Sequence, residues 1–89
     1  MKHLIKASGS VQVFSANKLQ NSIIASLHAV HKNAADTQEI SVKVTQEVVN
    51  WLHNKQEVSS VDVRTAAAAS LAKYDKDAAV VYKKHKDMW

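Results

Sequence analysis

Two short apolar runs, His3 to Lys6 and Val11 to Phe14, flank the small polar stretch Ala7-Ser8-Gly9-Ser10. Apolar runs about a Ser-Gly turn predict a β-hairpin, and strands this short need helices to lean on. From Asn17 the period becomes helical. Leu19, Ile23, Leu27 and Val30 fall on one stripe, Ile24 widens it, and Ser15 is placed to cap it. The pattern stops at Lys32-Asn33-Ala34-Ala35. A second helix is predicted from Asp36, which has capping-box spacing to Glu39, to about Asn54-Lys55; Ile40, Val44, Val48, Trp51 and Leu52 form its inner face. Gln56 to Ser59 reads as an extended link. Ser60 is placed to cap a third helix, Val61 to about Lys73, centred on Ala66–Ala69. Asp75 is placed to cap a fourth, Lys76 to about Asp87, with Ala78, Ala79, Tyr82 and His85 inward. The expected fold class is α+β, an N-terminal two-stranded β-hairpin packed on a four-helix cluster, in a single domain over residues 1–89.

Composition sharpens this picture. Proline is absent and Gly9 is the one glycine, so nothing interrupts the helices and Gly9 falls to a backbone role in the turn. Without cysteine there are no disulfides, thiolate metal sites or thiol nucleophiles. No apolar run approaches the roughly 18 residues of a membrane span, and the first residues are too short and polar for a signal peptide. A cytoplasmic location is expected, with no membrane partner. The net charge of +4 favours an anionic partner.

Candidate chemistry concentrates near the N-terminus. Lys6 lies on the first strand and Lys18 in the first turn of the first helix. A helix N-terminus is already partly positive, so a lysine there is unhelpful unless an anion arrives, and ammonium groups beside a helix N-terminus suit phosphate. The histidines supply no third ligand beside His28 and His31, so no metal site is expected. No nucleophile–base–orienter trio and no phosphate-loop motif is readable, and the chain is expected not to be an enzyme.

The ordered blocks Lys6, Gly9-Ser10, Phe14, Lys18; then Val58-Ser59-Ser60-Val61-Asp62-Val63; then Ala79-Val80-Val81-Tyr82 followed by Lys83-Lys84-His85-Lys86 resemble the ATP-cone domain, a regulatory nucleotide-binding module. The chain departs from that pattern at Ala7, where the family has arginine, at Ser8 for an acidic turn residue, at Gln12 for a frequent glutamate, and at Lys86 for an arginine. The resemblance implies regulatory binding of ATP or dATP without catalysis, with or without Mg2+. It implies a site built from Leu4, Lys6, Ala7, Gln12, Ser15, Lys18, Ser60, Arg64 and Lys86. The hairpin would cover the adenine, with Leu4, Val11 and Val13 as wall candidates, while Lys6, Lys18 and Arg64 meet the phosphates. The Ala66–Ala69 run would let the third helix pack close to the site. In the family this module is fused to ribonucleotide reductases, to the repressor of their genes, or to some kinases. The lack of cysteine points here to a free-standing or excised cone, acting through a protein partner or self-association. Two other readings stay open. One is a protein-interaction domain of the same fold that has lost nucleotide binding, for which Ala7 speaks. The other is a small basic nucleic-acid-binding domain, for which one short cluster, Lys83–Lys86, is a small footprint.

Overall fold

The computed structural model describes residues 3–5, 11–55 and 57–84, with side chains from residue 13 onward. Its elements run β1 (His3–Ile5), β2 (Val11–Val13), α1 (Ala16–Ala29), α2 (Ala34–Leu52), β3 (Val58–Ser59), α3 (Ser60–Ala72) and α4 (Lys76–Lys84). The four helices pack in a ring, α1 and α3 each touching both α2 and α4. Leu19, Ile23 and Leu27 of α1, Val44, Val48 and Leu52 of α2, Val63 and Leu71 of α3, and Tyr82 of α4 fill the centre. Among the described side chains, all of the buried hydrophobic residues except Val58 belong to helices.

This corrects the expected fold class. The molecule is a mostly helical, four-helix domain, not a two-stranded hairpin packed on a helix cluster. Its strands are only three, three and two residues long, and they pair as a minimal three-stranded set, not as a two-stranded one. The segment expected to be a link supplies β3, which pairs parallel to β1 and makes the order β2-β1-β3. A two-residue strand that runs straight into a helix carries no alternation to read, so sequence pattern cannot announce it. Pairing on both edges of β1 satisfies its backbone groups, which one neighbour alone would not do. The Ala7–Ser10 turn, with Gly9, lies outside the described residues.

The helix ends show which polar side chains do the capping. Ser15 caps α1 as expected, its Oγ accepting from the Lys18 N–H at 3.3 Å. For α2 the cap is Asn33 rather than Asp36: Asn33 Oδ1 accepts from the Asp36 N–H at 2.8 Å, and the helix begins two residues earlier than expected. For α3 the cap is Ser59 rather than Ser60. Ser59 Oγ accepts from the Asp62 N–H at 3.0 Å, and Asp62 Oδ2 accepts from the Ser59 N–H at 3.3 Å, a complete capping box. Asp75 Oδ1 accepts from the Ala78 N–H at 3.0 Å, while its Oδ2 meets Lys32 Nζ at 2.9 Å. These two contacts hold the Asp75 carboxyl below its ordinary range and tie the α1–α2 turn to the start of α4. In that turn His31 adopts a left-handed φ of 61°.

The inner faces differ from a purely apolar reading. Val30, Ile40 and Trp51 are half-buried at the edge of the core. Thr37, Ser41 and Thr45 are buried on α2, and Ser26 on α1. Short hydroxyls can turn back to their own helix, as Ser26 does to Ser22 O at 3.1 Å and Ser41 to Gln38 O at 2.9 Å. His85 and the expected continuation of α4 to Asp87 lie outside the described residues.

Glu47 joins α2 to the end of α3. Its carboxylate accepts from Ser70 Oγ at 2.8 Å, from Lys73 Nζ and from the Tyr74 hydroxyl. The Lys73 and Tyr74 hydrogen bonds hold the Glu47 carboxyl at about 2, against an ordinary 4.5. Because the folded value lies below the unfolded one, this contribution is complete above about pH 4.5 and is lost as pH falls towards 2. Glu47→Gln is therefore expected to flatten the fall in stability across that window. Urea midpoints measured from pH 5 to pH 2.5 check it; parallel profiles for the two proteins would show that the cluster does not form.

Candidate functional site

The sheet and the caps bring the candidate residues into two groups. In the sheet register Leu4 stands opposite Gln12 on one side and Val58 on the other, and Ile5 opposite Val11 and Ser59. Ser60 follows directly as the first residue of α3, buried, and Arg64 sits one turn further on, half-buried. Leu4 and Gln12 are thus paired in the sheet, while Ser60 and Arg64 follow β3 in α3. The second group stands where β2 gives way to α1. Phe14 packs against the core, Ser15 caps, and Lys18 is exposed at the third helical position. Lys6, Ala7 and Lys86 lie outside the described residues.

The electrostatics of α1 set its N-terminus apart. Each of α2, α3 and α4 carries an aspartate in its first turn: Asp36, Asp62 and Asp77. An acid there offsets the partial positive charge of the helix end. The first turn of α1 has none, and holds Lys18 instead. This end of the molecule keeps both the dipole and an ammonium group uncompensated by its own turn, which favours an anion.

The alanine run does not serve one face. Ala67 and Ala68 are buried in the core, whereas Ala66 and Ala69 line a groove of about 420 Å³ between α2 and α3. Val48 and Trp51 form its other wall, and the Glu47–Lys73 pair its rim. Of the candidate residues whose side chains are described, Ser15, Lys18, Ser60 and Arg64, none lines it. Trp51 carries Lys55 Nζ 5.3 Å above its ring. The sequence reading missed three polar roles: Ser59 as the α3 cap, Glu47 as a three-donor acceptor, and the buried hydroxyl of Tyr82. The Ser59–Asp62 spacing was readable as a capping box; the other two needed the helix packing.

Among the described residues no group of three histidines, cysteines or acids could hold a metal ion. No described helix is long and apolar enough to cross a membrane.

A short sheet leads into two capped helix starts, and the first turn of α1 carries a lysine and no acid. The ATP cone domain family model matches residues 2–87 of the 89, and the chain belongs to that family. No curated protein matches it.

Proposed function

We propose that the chain binds an adenine nucleotide, ATP or dATP, as a regulatory ligand and does not turn it over. The observation that carries this reading is family membership across residues 2–87. The acid-free, lysine-bearing first turn of α1 supports it. In this reading the phosphates lie against the α1 N-terminus, Lys18 and Arg64, with Lys6, Ala7 and Lys86 completing the site. Leu4, Gln12, Ser15 and Ser60 border the rest. Mg2+ would enter with the triphosphate, since the nucleotide itself supplies its oxygen ligands. The output passes to a protein partner or a second copy of the chain, because a nucleotide sensor acts only through differential contacts in two states. A cytoplasmic setting suits this role.

Equilibrium binding of ATP to three proteins tests the reading. Lys18→Gln is expected to weaken binding by roughly 1.5–3 kcal/mol, the value of a charge-assisted contact, and to leave the melt without nucleotide nearly unchanged. Lys83→Gln, exposed at the far end of α4, serves as the control and is expected to bind as the parent does. Equal losses at Lys18 and Lys83 would put the site elsewhere. No binding by the parent would favour the interaction-domain reading.

A further inference from the structure

The groove between α2 and α3 is built like the centre of a protein interface. Val48 and Trp51 stand on one side and Ala66 and Ala69 on the other, around about 420 Å³ of space. Trp51 is half-buried, and the alanine methyls across from it leave that space unfilled. Larger side chains there would pack it to the density of a protein interior. An apolar centre with an aromatic anchor, set inside a polar rim, is the usual anatomy of a surface that binds protein.

The charges at the rim choose the partner. The Glu47 carboxylate accepts from Ser70, Lys73 and Tyr74, so its charge is already compensated. Lys73 has three donors and gives one to Glu47, and its side chain is exposed. Lys55 follows Trp51 by four residues, its Nζ 5.3 Å above the indole ring. None of the ion pairs among the described residues includes Lys55. The groove thus presents ammonium groups beside an apolar wall, on a chain of net charge +4. A second copy would bring the same surplus of positive charge to this face, whereas an acidic partner offsets it.

We propose that the α2–α3 groove docks an acidic segment of a partner protein. An aromatic side chain of that segment enters between Trp51 and the two alanines, and flanking carboxylates meet Lys55 and Lys73. This deepens the reading that the output passes to another protein, by naming what that protein presents, and it uses no residue of the proposed nucleotide site.

Trp51 fluorescence tests this in the whole chain carrying Trp89→Phe, where Trp51 is the one remaining tryptophan. Titrated to millimolar concentration, the peptide acetyl-Glu-Glu-Phe-Glu-Glu-amide is expected to shift the emission saturably. Acetyl-Lys-Lys-Phe-Lys-Lys-amide is expected not to bind, and alanine in place of the peptide's phenylalanine is expected to weaken binding about tenfold or more. Lys55→Gln is expected to weaken it about threefold, the scale of one exposed ion pair. Ala69→Leu fills the groove from an exposed helical position and is expected to abolish binding. No saturable shift with the acidic peptide, equal binding of the acidic and basic peptides, or parent-like binding by Ala69→Leu would overturn the proposal. Free 3-phenylpropionate binding as tightly as the peptide would also overturn it, giving the groove to a small molecule. Dimerisation in sedimentation equilibrium that Ala69→Leu abolishes would overturn it in favour of a second copy. Saturable acidic-peptide binding by a parent chain that binds no ATP would support this surface and overturn the nucleotide reading alone.

Discussion

ATP or dATP at about 100 times its dissociation constant is expected to stabilise the chain by about 2.7 kcal/mol. For a domain this small that corresponds to a rise in melting temperature on the order of 10 °C. The size of the shift follows from mass action alone, provided the nucleotide binds the folded chain and not the unfolded one. The proposed site meets that condition: Lys18 belongs to α1, Arg64 to α3 and Leu4 to β1, so the unfolded chain would not hold them in one place. GTP and CTP are expected to give smaller shifts, because the strand residues are assigned to the base and a different ring edge would meet the same backbone. AMP is expected to give less than ATP, since it lacks the oxygens that reach the cationic helix end. Differential scanning fluorimetry across the panel, at fixed ionic strength, is the measurement. Equal shifts from all triphosphates would mean that charge, not adenine, is recognised.

Leu71→Ala is expected to cost about 2–5 kcal/mol, the usual range for emptying a fully buried leucine site. Leu71 has no exposed surface and lies in the central cluster between α3 and its neighbours. Its backbone carbonyl also accepts from the N–H groups of Tyr74 and Asp75, each at 2.9 Å, closing the end of α3. The substitution thus opens a cavity beside the joint that sets α4 against α3. Against a typical total of about 5–15 kcal/mol, such a loss is a large fraction of the stability of a small domain. Val80→Ala, half-exposed on α4, is the comparison and is expected to change stability by no more than about 0.5 kcal/mol. Urea midpoints separate the two. Similar effects at both positions would contradict the placement of α3 in the core.

The helices were legible because long amphipathic stripes bury one face and expose the other. Leu19, Ile23 and Leu27, then Val44, Val48 and Leu52, are spaced as a helix requires and are buried as that spacing says. Their starts were less legible. Asn33 and Asp36 both suit a cap, and only backbone geometry chooses between them; Ser59 and Ser60 stand side by side, and there the Ser59–Asp62 capping-box spacing was the signal to follow. The sheet was the weakest part. Val58–Ser59 becomes a strand through pairing with β1, a contact between residues over fifty positions apart that no local pattern encodes. The alanine run misled for a related reason: identical side chains give no stripe, so nothing in Ala66–Ala69 says which methyls face the core and which the α2–α3 groove. Of the candidate site, Ser15 and Lys18 were readable as a cap and its first turn. Tyr82 was readable as core, but its orphaned hydroxyl depends on how α4 lies against the other helices.

The most direct measurement of the central claim is calorimetric titration of the chain with ATP, with GTP as the competitor class and the nucleotide recovered afterwards. Saturable binding of ATP, weaker or absent binding of GTP, and recovery of intact ATP are expected. Release of ADP, or the absence of heat with any nucleotide at millimolar concentration, would contradict the account.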